Sequence, residues 1–272
     1  MKSTLLVSAL MYATLVGTVH AETVTFSVVP QQSASKLARL WTPIVTYLSE
    51  KTGHDVRFTT AKDIPTFEAR LAEGQYDFAY MNPYHYTVFS SAPGYSAFAR
   101  QKDKRIKGIV VVRKDSTLRD MEELEGERLA FPSPAAFAAS VLPRSHLRTE
   151  GIGFTPQYVS SHDSVYLGVA RGLFPAGGGV MRTFNNTDPA VRDELKVLWT
   201  TKTYTPHAFA AHPRVSEAVV DDIAAAMLAM NDDPRGQALL KSISFKGMQA
   251  AENGDWNDVR GLGIELLADL VE

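Results

Sequence analysis

The run Tyr80-Met-Asn-Pro-Tyr-His-Tyr86 gathers hydroxyl, amide and imidazole groups within a single turn's reach. Tyrosine joins an apolar body to a polar tip, which suits the wall of a pocket. No activated nucleophile and no metal-ligand spacing accompanies the run, so the chemistry it supports is holding a small molecule. Tyr80, Asn82 and Tyr84 are the candidate wall residues; the competing reading makes two of these tyrosines core or surface. A second polar turn, Ser160-Ser-His-Asp-Ser164, offers His162 as a donor or acceptor. A lone histidine is as readily structural, and Asp163 reads as a first-turn helix charge that favours the dipole.

Three further runs carry groups with more than one reading. Phe131-Pro-Ser-Pro-Ala-Ala-Phe-Ala-Ala-Ser140 joins a strand to a helix. Its first free backbone N–H groups could hold an anion at the partly positive helix start. An ordinary helix start with Ser133 near its cap fits the local sequence equally. Gly177-Gly-Gly179, with Arg182 three residues on, lacks the phosphate-loop frame, and close packing at a strand end is the preferred reading. His207 and His212 match no standard zinc spacing, and no G-x-S-x-G occurs. No metal and no cofactor is expected.

The elements that must position these residues alternate. Strands are expected at Val24–Pro30, Val56–Phe58, Tyr76–Tyr80, Ser96–Arg100, Ile106–Val112, Glu127–Phe131, Gln157–Ser160, Phe174–Val180, Lys196–Thr200 and His207–Ala211. Between them, helical periodicity runs from Ser33 or Ser35 as a cap to Gly53, and over 64–72, 83–89, 135–149, 162–171 and 188–195. Ile109-Val-Val-Val112 is β-branched and unbroken, as in a strand buried on both faces. This spacing predicts an α/β class with largely parallel sheets. The tail changes character, with helices expected over 215–230, 234–240 and 256–271. Two α/β blocks and a helical tail fit a bilobed chain that crosses a hinge twice, near Lys107–Arg113 and Thr203–His212. The lobes expected are 22–108 with 209–272, and 109–208. Ligands of open α/β sheets bind outside the carboxyl ends of strands, where both polar turns would lie.

Lys2 and the apolar run Leu5–Val16 read as an export signal, with cleavage after Ala21 at Val19-His-Ala21. The run is too short and interrupted for a membrane span, which needs about 20 apolar residues. A formal net charge of -2 argues against nucleic acid as the main partner. With no cysteine in an exported chain, stability must come from the core, and 45% hydrophobic residues can supply one.

VVPQQSASKLARLWTPIVTYLSEKTG, YDFAYMNPYHY, PSPAAFAASVLP and SHDSVYLGVARGLFPAGG together resemble the phosphate/phosphite/phosphonate-binding proteins of ABC importers, over nearly all of the chain after residue 21. The resemblance implies a bilobed type II periplasmic-binding fold, a monomer in the periplasm, a small anion as ligand and a membrane permease as partner. It carries the family's assisting histidine onto His162. The family's hydroxyl run does not carry over: its places hold Ala136, Phe137 and Ala138, and a later family acid falls on Pro175. Each hydrogen bond to a charged group contributes about 1.5–3 kcal/mol, so lost hydroxyls weaken a phosphonate grip by orders of magnitude. The Ala136–Ala138 amides remain as donors, Phe137 adds an apolar wall, and Gln31 and Ser33 at the first strand's exit complete the expected site. An organic anion with an apolar part fits as well as a phosphonate. A receptor subunit for a sensor kinase or chemoreceptor would use the same closure. An enzyme on the same fold needs a reactive Lys, His or Cys. The chain has no Cys, and no lysine is expected in the mouth.

Overall fold

The computed structural model describes residues 21–271. The expected export segment lies outside them apart from Ala21. No helix among the described residues is long and apolar enough to cross a membrane.

In chain order the elements are β1 (Thr23–Val28), α1 (Ala34–Thr52), β2 (Asp55–Thr59), α2 (Ile64–Ala72), β3 (Phe78–Met81), α3 (Pro83–Phe89) and β4 (Ser96–Gln101). Then come β5 (Gly108–Arg113), β6 (Arg128–Phe131), a π-helical segment Phe137–Val141 running into α4 (Leu142–Thr149), β7 (Thr155–Tyr158), α5 (His162–Ala170), β8 (Ala176–Val180), α6 (Met181–Asn185), α7 (Pro189–Arg192) and β9 (Leu195–Thr200). The chain returns through β10 (Ala208–Ala211), α8 (Glu217–Ala229), α9 (Pro234–Ser242), β11 (Met248–Ala250) and α10 (Asn257–Arg260).

These elements build two sheets. One is six-stranded, in the order β11-β4-β10-β3-β1-β2; the other is five-stranded, β7-β6-β8-β5-β9. The α/β class is as expected, but the sheets are mixed rather than largely parallel. β1 pairs parallel with β2 and β3, and β6 with β7 and β8, whereas β5 and β10 run antiparallel to their neighbours. β5 and β10 are the strands entered directly from the other sheet, so they arrive reversed. The crossings are 102–107 and 201–207, stitched by the Ile106–Tyr204 bridge, while Gly108–Arg113 belongs wholly to a sheet rather than to a hinge.

Side-chain alternation along β5 sends Ile109 and Val111 into one core and Val110 and Val112 into another, which accounts for its unbroken β-branched run. The larger core of the first sheet centres on Phe26, Trp41, Phe78 and Phe209. It continues through Ala135–Ala139 and Leu142, residues that follow a strand of the second sheet.

Three local expectations differ. β3 starts at Phe78, because the Asp77 carboxylate accepts from the Thr25 N–H at 2.8 Å and takes the place of a ladder bond. The helix expected from Ala135 begins as a π turn, with the Ala136 carbonyl accepting from both Ser140 (2.7 Å) and Val141 (3.2 Å). The helix expected over 256–271 is only α10 and two 3-10 turns, interrupted at Gly261 and at Gly263, whose φ is 58°.

The π turn lies against the second sheet through close backbone approach. A Cβ on Gly178 would stand 1.9 Å from the Ala139 carbonyl oxygen, and one on Gly108 1.8 Å from that of Ala138. Close packing is therefore what the glycines at the end of β8 provide. Gly178→Ala is expected to destabilise the fold by about 1–3 kcal/mol or more through forced displacement of backbone. Urea denaturation checks this; an unchanged midpoint would show that the segment is free to move away.

Candidate functional site

The segments that follow β1, β3, β6, β7 and β8, together with the two crossings, border a common crevice between the sheets and supply its polar groups. Two adjoining cavities occupy it. The inner measures about 10 Å³ and is edged by Gln31, Asn82, Ala136, Phe137, Ala138 and His162. That is room for about one water. The outer measures about 110 Å³ and is lined by Tyr80, Gln101, Lys104, Lys107, Met181 and Arg182 among others. Ile106, Val180 and His207 border both.

Each residue reaches its place for a local reason. Asn82 caps α3, accepting from the His85 N–H at 2.8 Å. Its amide reaches across to the Ala135 carbonyl at 3.3 Å. His85 lies beneath, bonded to Glu68 at 2.8 Å, fully buried and outside the crevice lining. Ser161 caps α5, so His162 enters the crevice at the helix start, and its N–H donates to the Gln31 carbonyl at 3.0 Å. Arg182 donates to the Gln31 side chain. Lys36 donates to the Asn186 carbonyl and Ser244 pairs with Asn186 at 3.0 Å. Asp163 lies 3.5 Å from Gln32 and 4.0 Å from Lys36, so its charge also faces the other lobe. With this many bridges, each contributing about 0.5–1.5 kcal/mol, the described form is closed.

Two expected wall residues lie elsewhere. Tyr84 is buried in the first core, and its hydroxyl accepts from the Leu267 N–H at 2.9 Å, fastening the tail. Ser33 is exposed at the start of α1; its hydroxyl makes no cap and reaches only Ser35 at 3.4 Å. Both depart from the expectation for a simple reason. A residue at or inside the helix that follows a strand points wherever that helix packs, and α3 packs toward the tail. Tyr86 likewise donates to Asn253 at 3.0 Å, away from the crevice.

The structure also brings in groups that sequence reasoning missed. His207 stacks on Tyr80 with ring centroids 4.9 Å apart. Lys104 and Lys107 line the outer cavity, contrary to the expectation of a mouth without lysine. The signal was in Gln101-Lys-Asp-Lys-Arg-Ile-Lys107, a cation-dense stretch on a crossing segment.

Inside the crevice the imidazoles are neutral. Burial, reinforced by the Arg182 charge, lowers His162 to about 3. Burial first, then Arg182, His85 and His162, lowers His207 well below the ordinary histidine range. The Thr183 hydroxyl pairs with His162 Nδ1 at 3.1 Å and with the Tyr166 hydroxyl at 2.8 Å, so the ring is held by its Nδ1 side. Both His162 Nε2 and His207 Nε2 are buried without a partner, so each is available to a ligand. Burial also raises Tyr80, which stays a neutral hydroxyl. Nothing here is arranged as nucleophile and base. Among the described residues no group of three or more His, Cys, Asp or Glu could hold a metal. What the arrangement can do is hold an anion: Lys104, Lys107, Arg182, the Tyr80 phenol and His207 line the outer cavity, with His162 on the inner one adjoining it.

The family profile described as "ABC transporter, phosphonate, periplasmic substrate-binding protein" matches residues 26–256. The phosphate-import protein PhnD of Mycolicibacterium smegmatis is 23% identical over 282 aligned residues, covering 91% of this chain and 82% of that protein. Among solved structures, a binding protein component of an ABC phosphonate transporter from Pseudomonas aeruginosa superposes with TM-score 0.83 at 15% identity, over 90% of this chain and 86% of that one. PhnD1 of Prochlorococcus marinus, in complex with methylphosphonate, superposes with TM-score 0.81 at 17% identity, over 89% and 97%.

The neutral histidines make stability depend on pH. An unfolded histidine takes up a proton near pH 6.5, but folded His162 does so only near pH 3, so the unfolded chain binds more protons between those values. The contribution is whole above pH 6.5 and falls as pH drops. Wild type is expected to lose roughly 2 kcal/mol through His162 between pH 6.5 and 5, with His207 adding in the same direction. Urea titrations at both pH values check this against His162→Asn, which should lose less; equal losses would contradict it.

Proposed function

This chain belongs to the periplasmic substrate-binding proteins of phosphonate ABC transporters, and we propose that it closes its lobes on a small phosphorus oxyanion held in the outer cavity. The fold is the bilobed type II periplasmic-binding fold. The observation that carries the reading is the lining of the outer cavity: Arg182, Lys104 and Lys107 approach Tyr80 and His207 from the two crossing and lobe-closing segments. Among the described residues, none of these three cations has a carboxylate within 4 Å.

On this reading Tyr80 and Arg182 form the walls. Gln31, Asn82, His162 and the Ala136–Ala138 backbone form the floor, and Phe137 closes the inner space. A guanidinium offers paired, charge-assisted donors to a phosphoryl group, which replaces what the missing hydroxyl run would have given. The ligand favours the closed form only by binding it better than the open one, and it touches both lobes. We place the lobe boundaries within the crossings 102–107 and 201–207, so that Gly108 goes with the second lobe and Ala208 with the first, where the expected bounds had them reversed, after removal of an export signal ending at Ala21. The mature protein acts as a monomer that presents its ligand to a membrane permease. Family membership favours import over the sensory reading. Lys104 and Lys107 remove one argument against covalent chemistry, but the family is one of binding proteins, and we read the site as binding without turnover.

Methylphosphonate, phosphite or inorganic phosphate is expected to raise the melting temperature, by the equivalent of about 2.7 kcal/mol at a hundred times its Kd. Arg182→Ala should weaken binding roughly ten- to hundredfold by calorimetry, the value of a charge-assisted bond. No shift with any of the three would sink the reading.

A further inference from the structure

The outer cavity carries more positive charge than one phosphoryl group can balance. Lys104, Lys107 and Arg182 line it, three cations facing a head that bears at most two negative charges. Arg105 borders the same space, but its charge is met by Asp258 at 2.7 Å. Lys246 stands close enough to act on Lys104 as a fourth cation. Lys104 is partly buried, and desolvation, then Arg182, Lys246 and Lys107, lower its pKa. Like charges gathered at a half-enclosed space repel one another, and they lose hydration there that only an anion restores. Arg182 spends one side of its guanidinium on Gln31, which fixes the group at the lobe junction rather than leaving it to sweep through solvent.

The rest of the lining says where the charge must go. Tyr80, Ile106, Val180, Met181 and Pro206 give the same cavity a largely apolar surface beside His207 and the lysines. The deep end has unpartnered imidazole nitrogen at His207 and no carboxylate. A ligand arm ending in an amine would bring a cation among cations. An arm ending in an anion would pass the apolar wall and meet Lys104 and Lys107.

We infer that the solute is a phosphorus oxyanion whose short organic arm ends in a second anionic group, a carboxylate or another phosphoryl, with Lys104 and Lys107 as the specificity-determining residues for that second charge. The inference rests on the reading that the crevice binds phosphorus oxyanions. The two fail separately in the experiment that follows.

Isothermal titration of the mature protein at low salt compares methylphosphonate, phosphonoacetate, pyrophosphate and 2-aminoethylphosphonate. Phosphonoacetate or pyrophosphate is expected to bind at least about tenfold tighter than methylphosphonate, with the amine-bearing compound weakest. Whichever of the two wins identifies the arm as carboxylate or phosphoryl. The advantage should shrink as salt is raised, and Lys104→Ala should reduce the ratio while Lys104→Arg keeps it. Circular dichroism and melting of both variants establish that the fold is intact. If methylphosphonate binds as tightly as the doubly anionic compounds, or the amine-bearing one binds best, the inference is overturned and the crevice still binds phosphonates. If none of the four binds while phosphite or inorganic phosphate does, the inference alone falls; if those fail as well, both readings fall.

Discussion

The burial of Ala135–Leu142 between the two sheets is the constraint from which the rest follows. The segment leaves the second sheet after β6, yet its side chains belong to the core of the first. Phe137 lies edge-on against Tyr204 with ring centroids 5.3 Å apart, so it packs against a crossing segment as well. For the backbone to lie that deep, Gly108 and Gly178 must lack a Cβ, and the first turn must wind as a π helix. π turns inside helices gather at functional sites, where an extra residue per turn re-aims the backbone. The outcome here is an apolar stopper in the place where a run of hydroxyls would otherwise face the crevice.

On the proposed reading, that stopper moves the binding chemistry outward. The inner cavity holds about 10 Å³ and the outer about 110 Å³, so a phosphoryl group has room only in the second. The donors change with the position. Small hydroxyls give way to a guanidinium and lysines, which bind through charge as well as geometry and whose repulsion an anion relieves. Closure then has a direct electrostatic sense. Arg182 comes from one lobe, Tyr80 and His207 from strands and crossings of the other, and the lysines from the crossing itself. A solute touching all of them gains contacts in the closed form that the open form cannot offer, which is what a population shift requires.

Much of the fold was legible in the sequence because its elements carry strong local marks. The unbroken Val110-Val111-Val112 run, the Gly53 stop after α1 and the polar turns at strand ends each have one physical meaning and fell where expected. Strand direction was not legible, since β5 and β10 look like any buried strand and only their arrival from the other sheet reverses them. The short tail failed for a different reason: apolar spacing suggested a helix, but Gly261 and Gly263 break it, and Tyr84 holds the remainder, which ends in a 3-10 turn, by the Leu267 N–H. In the site, Tyr80, Asn82, Gln31 and His162 border the crevice because each lies at a strand end or in the polar segment that follows it. Tyr84 and Ser33 do not, because helix packing decided their direction. Lys104, Lys107 and His207 were missed since they lie on crossing segments, whose nearness to the site is a matter of topology rather than of pattern.

A crystal structure with methylphosphonate bound locates the phosphorus atom and so tests the central claim most directly. The expected position is in the outer cavity, beside Arg182 and Tyr80 and within reach of His207, with Phe137 in its present rotamer. A phosphorus atom seated on the Ala136–Ala138 amides, with Phe137 displaced, would contradict the claim that the apolar segment has moved the site.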